Sequence, residues 1–468
     1  MSHTIPSKLL VIIVGALLVR LLLLSTVFSF LGEKALIFGD ASRFYKIAEV
    51  LKDGHGFTDG EPSLAPAAVF PPVFFMALAA SLKLAHSVIP LLILQIVLAA
   101  LIPLVVWNMA LLFTQDMRVR TLAAGLAAFE PQMVLWSLLP VTETIATFFL
   151  LCGLYFFLKT IMGQRWQQAA LSGIFLGLST LTRPHGQFLF ILGTISLVVW
   201  ALYRTLKSIP ARSIISAALI FMAAFMLVVS PWIIRNYYRF GTISIASTGL
   251  RNLYSDFATS VLTIHSERSG NFGDIRRGLY QELADKHGIT REQLRKNPEL
   301  GKIAAREAVM IIARYPKDAV QVVVIALGAF FTQDLYTYYL EKFEIIPHFS
   351  LDFSPSVVLL KHGPKMLVEM IYNKLGWYAL IPLMARIFWV GMFLGALWGL
   401  WRAIKESGNA RATALILAVV VGYYALVSLV GGFADQGRLR YPVSSLLFML
   451  ASFGWFNLFC RNGPESIP

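Results

Sequence analysis

Charge is scarce in this chain. Only 14% of its 468 residues are Asp, Glu, Lys or Arg, against about 25% in soluble domains, too few to cover a water-exposed surface. A soluble multidomain protein is therefore excluded. Cysteine is nearly absent: Cys152 and Cys460 both lie inside apolar blocks, so neither a disulfide framework nor a thiolate metal site is implied. No internal repeat and no low-complexity stretch is visible, and no H-E-x-x-H spacing occurs. The absence of repeats also argues against the paired architecture of many secondary transporters.

What the chain has is apolar length. Hydrophobic residues make up 57% of it, with a mean hydropathy of +0.68. They come in blocks able to cross about 30 Å of hydrocarbon. Spans are expected at 9–30, 88–113, 119–138, 143–160, 168–183, 187–206, 212–234, 378–401, 411–432 and 442–460. The first runs from Lys8 past Arg20 to Phe30 without a small-residue cleavage site, and reads as an uncleaved span. The formal net charge of +14 is scattered between the blocks rather than gathered in a patch, which excludes nucleic acid as a partner.

The same basic residues set the topology. Arg118 and Arg120, Lys159 and Arg165, Arg204 with Lys207 and Arg212, Arg402 with Lys405 and Arg411, and Arg461 belong on the cytoplasmic side. This parity holds with the N-terminus inside if 69–86 and 318–335 stay on the outer face as interfacial or re-entrant helices. The fold class expected is an all-α polytopic membrane protein of about ten transmembrane helices, in a range of roughly 8–12. Outer-face juxtamembrane helices and a small helical extracytoplasmic subdomain complete it. The divisions are a transmembrane catalytic module at 1–234, with its first outer loop at 31–87, the subdomain at 235–377, and C-terminal transmembrane helices at 378–468. Within the subdomain, Thr290 and Gln293 are spaced as a capping box.

Acidic residues are few, so their positions carry information. The first outer loop reads FGDASRFYKIAEVLKDGHGF and places Asp40 just after the first span. Spacing alone leaves two readings of Asp40, an N-cap of the following helix or a functional carboxylate. Glu143 stands at the mouth of another span. On the same face lie Arg43, Arg183, Arg235, Arg438 and Arg440, whose forked guanidinium groups suit phosphate. Snorkelling to lipid headgroups is the alternative for each of them.

The motif context resembles the GT-C superfamily of glycosyltransferases, in the branch of the protein O-mannosyltransferases and lipid A aminoarabinose transferases. Asp40-Ala41-Ser42-Arg43-Phe44-Tyr45 is similar to the opening motif of that family. Gly54-His55-Gly56-Phe57 and Pro71-Pro72-Val73-Phe74-Phe75 follow in the family's order. Further on come PVTETIATFF (140–149), GLSTLTRPHG (177–186), SPWIIRNYYRFG (230–241) and GRLRYPVSSLLFML (437–450), again in order. Two departures stand out. Phe70 occupies the place of a lysine before the Pro-Pro pair, and Ala41 replaces the glutamate common after the first acid.

The resemblance implies an enzyme that moves a sugar from a polyprenyl-phosphate donor to an acceptor at the extracytoplasmic face. The setting would be a cell inner (plasma) membrane, with a periplasmic active site. Asp40 would act as general base and Glu143 would orient the base, bind sugar or contact a metal. Arg43, Arg183, Arg235, Arg438 and Arg440 would hold the donor phosphate. Tyr45, Glu61, His185, Asn236 and Tyr441 are the candidate substrate-binding residues. The acceptor is a lipid, a glycan or a protein, and the choice is expected to be made in the subdomain, at 242–317. A divalent cation is a candidate cofactor, with His55, His185 and Glu61 as candidate ligands. The aromatic run FFTQDLYTYYLEKF (330–343) reads as an interfacial belt, or as a surface on which sugar or polyprenyl stacks.

Arg20 and Glu130 sit inside expected spans, each ~18 Å deep at 1.5 Å per residue. Isolated charges at that depth are costly, so an Arg20–Glu130 ion pair is expected. Two competing functions remain at this stage: a lipid or solute transporter or flippase, and an O-antigen-type ligase or polymerase.

Overall fold

The computed structural model describes residues 6–58, 70–163, 165–206, 212–246, 248–266, 272–296, 299–347, 355–406, 408–433 and 435–459. Among these residues there are helices and no strand. Eight helical segments are long and apolar enough to cross a membrane, or nine if one bent pair counts as a single span. The all-α polytopic fold expected from the sequence is what the structure shows.

The first helix is α1 (Ser7–Leu31), which exposes large apolar side chains including Leu10, Val11, Leu22 and Phe30. Beyond it, α2 (Asp40–Lys52) buries Ala41, Phe44, Ile47 and Ala48 against α3 (Pro72–Ala85). At 14 residues, α3 is ~21 Å long and cannot cross a bilayer core. The long α4 (Ile89–Phe113) packs on α1 and on α7 (Glu143–Gly163).

Between α4 and α7 the expected span at 119–138 does not form as one helix. It divides into α5 (Met117–Phe129) and α6 (Pro131–Trp136). Pro131 lacks the N–H that would continue α5, and the Glu130 carboxylate instead caps α6 by accepting from Met133 N at 2.8 Å. The expected Arg20–Glu130 ion pair is not made. Arg20 donates to the carbonyls of Ala128 at 2.8 Å, Ala16 at 3.0 Å and Met133 at 3.3 Å. Glu130 takes the Tyr336 hydroxyl. The helix break supplies the reason, because it frees carbonyls for the buried guanidinium and N–H groups for the buried carboxylate.

Next come α8 (Trp166–Thr182), α9 (Leu189–Leu206) and α10 (Arg212–Phe240). At 17 residues, α8 is ~26 Å long, slightly short of a full crossing. It packs closely between α7 and α10, where a Cβ on Gly173 would collide with the Phe221 carbonyl.

The subdomain contains α11 (Thr248–Asn252), a π-helical turn at Leu253–Ala258, α12 (Thr259–His265), α13 (Phe272–His287), α14 (Arg291–Lys296) and α15 (Leu300–Arg314). Tyr254, Leu279, Leu283, Leu294, Ala304 and Ala308 form its own small core. The capping box forms, with Gln293 N donating to Thr290 Oγ1 at 3.2 Å and Thr290 N to Gln293 Oε1 at 2.8 Å.

After it, α16 (Pro316–Thr332) and α17 (Tyr336–Lys342) meet at a 68° bend. The remaining described helices are α18 (Pro355–Leu375), α19 (Leu380–Lys405), α20 (Asn409–Ser428), α21 (Gln436–Arg440) and α22 (Ser444–Phe459). α19 and α22 pack backbone to backbone through Gly399 and Gly454.

Candidate active site

Asp40 is the first residue of α2 rather than its cap. Gly39, at φ +57°, holds the N-cap position, and Asp40 makes no capping hydrogen bond. The cap reading is thereby removed, and the carboxylate is left to reach Arg438, with which it forms an ion pair. Arg438 comes from α21, almost at the other end of the chain.

Arg438 is shared. Its Nε donates to Glu143 Oε1 at 2.5 Å, and the same carboxylate oxygen accepts from Arg183. Glu143 is fully buried, while the Asp40 side chain is 50% exposed. The arrangement is thus a relay of charge from inside to outside: a buried carboxylate fixes two arginines, and one of these presents itself to the exposed acid. Glu143 does not line the cavity, and its ion pairs are with the two arginines. The Arg438 guanidinium also lies over the Trp136 ring, 5.1 Å from its centroid.

His185 extends the cluster. Its Nδ1 accepts from Arg183 Nε at 3.2 Å, which requires a neutral ring with the proton on Nε2. Its carbonyl accepts from the Tyr423 hydroxyl at 2.6 Å, so α20 fixes the turn after α8.

A cavity of about 540 Å³ opens over these groups. Asp40, Arg43, Arg183, His185 and Arg438 line it from one group of elements. The subdomain contributes Arg251, Asp256, Arg276, Tyr280 and Arg291, and Asp435 completes the lining. Six arginines against three aspartates make the lining electropositive, as an anionic ligand requires. Arg43 lies over Phe70, 5.0 Å from the ring centroid, and so puts a cation beside the position where the resembling family has its lysine. Burial raises the Asp256 carboxyl above its usual range, against the pull of Ser255 and Arg276.

Other expected site residues lie elsewhere. Arg440 is fully buried, donates to the carbonyls of Phe330 and Gln333 at 2.7 Å each, and stacks 3.5 Å from the Trp389 centroid. It ties down the end of α16. Arg235 packs 4.7 Å from the Trp232 centroid and donates to the Phe57 carbonyl at 3.2 Å, joining the first loop to α10. Asn236 donates to the Ser244 carbonyl at 2.8 Å, and Tyr441 shares a hydrogen bond with Thr144 at 3.3 Å. Tyr45 interacts with Glu49. None of these five lines the cavity.

Glu61 lies outside the described residues. His55 is exposed and apart from the cavity lining, and no group of three or more metal-ligating side chains occurs among the described residues. Of the expected cation set, His185 lines the cavity and His55 does not, and Glu61 is not among the described residues.

Several cavity residues were not singled out from the sequence. Arg251, Arg276 and Arg291 belong to a segment whose polar character was visible, but its helical periodicity gave no reason to pick these arginines. Asp435 follows a glycine pair and holds a left-handed backbone at φ 52°.

A second feature adjoins the cluster. A cavity of about 760 Å³ runs between α7, α8, α9 and α20, lined by Phe157, Leu176, Leu192, Trp200, Ile416 and Val420 among others. It begins at Leu189, one turn from His185, and continues to Gly408–Arg411.

Residues 69–234 match a family model described as dolichyl-phosphate-mannose-protein mannosyltransferase. The match bears out the resemblance drawn from the motifs and includes Glu143, Arg183 and His185. No curated protein sequence matches the chain. Among solved structures, the archaeal oligosaccharyltransferase AglB from Archaeoglobus fulgidus, in complex with an inhibitory peptide and a dolichol-phosphate, aligns with a TM-score of 0.48. Sequence identity is 14%, and the alignment covers 97% of this chain and 52% of that one, so this chain spans about half its length.

Proposed function

We propose that this chain is a GT-C-type membrane glycosyltransferase that transfers a sugar from a polyprenyl-phosphate donor, with Asp40 as the general base. The observation that carries the reading is the Asp40–Arg438–Glu143–Arg183 array at the floor of an electropositive cavity, next to an apolar groove.

Each part has a task in the reaction. The donor phosphate takes Arg183, Arg43 and Arg438, and its chain follows the groove from Leu189 along α9. Asp40 accepts the proton of the acceptor hydroxyl. The acceptor oxygen bonds to the anomeric carbon as the bond from that carbon to the phosphate oxygen breaks. Polyprenyl phosphate leaves with the electron pair, and the arginines neutralise its charge. No acid is needed at the leaving oxygen, because a phosphate is already a weak base. Glu143 is a positioning residue that sets the two guanidinium groups. Arg235, Arg440, Tyr45, Asn236 and Tyr441 are assigned no contact with substrate.

The cavity and the subdomain lie on the extracytoplasmic side in this reading, following the distribution of basic loops. The test is a panel of radiolabelled polyprenyl-phosphate sugars offered to the purified protein in liposomes with total membrane acceptors. Transfer of label from one of them supports the reading. Donor-dependent movement across the bilayer without transfer assigns the chain to the transporters instead.

A further inference from the structure

The ion pair of Asp40 and Arg438 separates two cavities. On the side away from Arg43, Arg183 and His185 lies a pocket of about 380 Å³. Its walls include Phe38, Trp136, Tyr338 and Tyr339, with Asp40, Asp435 and Arg438 at the shared boundary. The rings brace one another: centroids are 6.0 Å apart for Phe38 with Tyr338 and with Tyr339, 5.3 Å for Tyr338 with Tyr339, and 5.2 Å for Trp136 with Tyr339. Three of these contacts are edge-to-face and that of Phe38 with Tyr339 is tilted, and together they give a rigid wall. Gly39 permits the close fit, since a Cβ there would stand 3.3 Å from the Tyr338 hydroxyl oxygen.

The chemistry of the pocket differs from that of its neighbour. Its one lining cation among the described residues, Arg438, is already held by two carboxylates. Two acids and two phenols are its other polar side chains among the described residues. Such a lining repels phosphate and carboxylate. It suits a neutral, polyhydroxylated ring, whose C–H face packs on aromatic carbon while its hydroxyls meet the carboxylates and phenols.

Position gives the ligand its role. In a single displacement the attacking hydroxyl approaches opposite the leaving phosphate. With the phosphate among Arg43, Arg183 and Arg438, the opposite side of Asp40 is the aromatic pocket. We infer that this pocket binds the acceptor and that the acceptor is a carbohydrate hydroxyl, rather than a polypeptide side chain or a phosphorylated lipid headgroup. The inference rests on the function proposed above. It moves the choice of acceptor from the subdomain to Trp136, Tyr338 and Tyr339, and leaves the subdomain as cover over the donor.

The test is calorimetric titration of the purified full-length protein with methyl hexosides, methyl hexosaminides and their disaccharides. Serine- and threonine-containing peptides are run alongside. Tyr338 is 39% exposed, so Tyr338→Ala is expected to fold, and a thermal unfolding curve checks that it does. The expected result is binding of at least one glycoside, weakened on the order of tenfold by Tyr338→Ala and less than about threefold by Tyr338→Phe, which keeps the ring. Absence of glycoside binding, binding indifferent to Tyr338→Ala, or preferential binding of the peptides overturns the inference. Titration with a polyprenyl phosphate in the same protein separates the two claims. Failure of that binding alone contradicts the proposed function, whereas failure of the glycosides alone contradicts only the acceptor assignment.

Discussion

The Nε of Arg438 lies 2.5 Å from Glu143 Oε1, so an arginine from α21 is locked to a buried carboxylate at the head of α7. The other side of the same guanidinium meets Asp40. One planar group therefore sets the distance between the buried acid and the exposed one, a task for which a lysine has no second arm.

Arg438→Lys should accordingly lower transfer by about 10²-fold while the protein still folds, because the charge survives and the fork does not. Initial rates compared with the thermal unfolding curve of the same preparation check this. A variant with near-normal rates would show that the bridge is dispensable.

Glu143→Gln should be costly to stability. It leaves Arg183 and Arg438 packed around a neutral amide, and removing one partner of a buried ion pair typically costs about 3–5 kcal/mol. Asp40→Asn should cost less than about 1 kcal/mol, since its pair is half exposed. Thermal unfolding in one detergent ranks the two. The reverse order would mean that Glu143 is not the structural anchor.

Arg20 and Glu130 make a contrasting case. Each is satisfied largely by the broken backbone between α5 and α6, and they meet through Met133, whose carbonyl takes Arg20 and whose N–H serves Glu130. Either single substitution to alanine should reduce folded yield. Exchanging the two residues should not restore it, because a carboxylate at position 20 would face carbonyl oxygens. Recovery of yield in the exchanged variant would indicate a direct charge pair.

Asp256 gives a pH dependence. Burial raises its carboxyl above the unfolded value, so the folded state favours the protonated form. Its contribution to stability is fully present below the unfolded pKa and is lost as pH rises through the folded one. Asp256→Asn should therefore gain stability relative to wild type as pH rises above the unfolded carboxyl value of about 4, until the folded carboxyl is ionised as well. Thermal unfolding across that range reads the difference, and a gap that narrows with rising pH would contradict it.

The membrane fold was legible in the sequence because apolar length and basic loops are local signals. Eight of the ten expected spans have a helix of crossing length, and the failure at 119–138 came from Pro131, whose missing N–H weighed less in the reading than the apolar residues around it. The site was legible in part. Asp40, Arg43, Glu143, Arg183, His185 and Arg438 lie in ordered motifs, and the chain brings them together. Spacing gave no means of separating Arg438 from Arg440. Two residues apart on one short helix, they face different ways, one to the cavity and one to the end of α16. The aromatic run at 330–343 was visible too, but only the bend between α16 and α17 sets Tyr338 and Tyr339 beside Asp40.

The central claim is that the Asp40 carboxylate takes the acceptor proton. Its most direct test is the rate of sugar transfer from a polyprenyl-phosphate donor in wild type and in Asp40→Asn, with donor binding and unfolding temperature measured on both. Transfer should fall by at least about 10²-fold in the variant, with donor affinity and stability close to wild type. Transfer that survives the substitution would remove Asp40 from the chemistry.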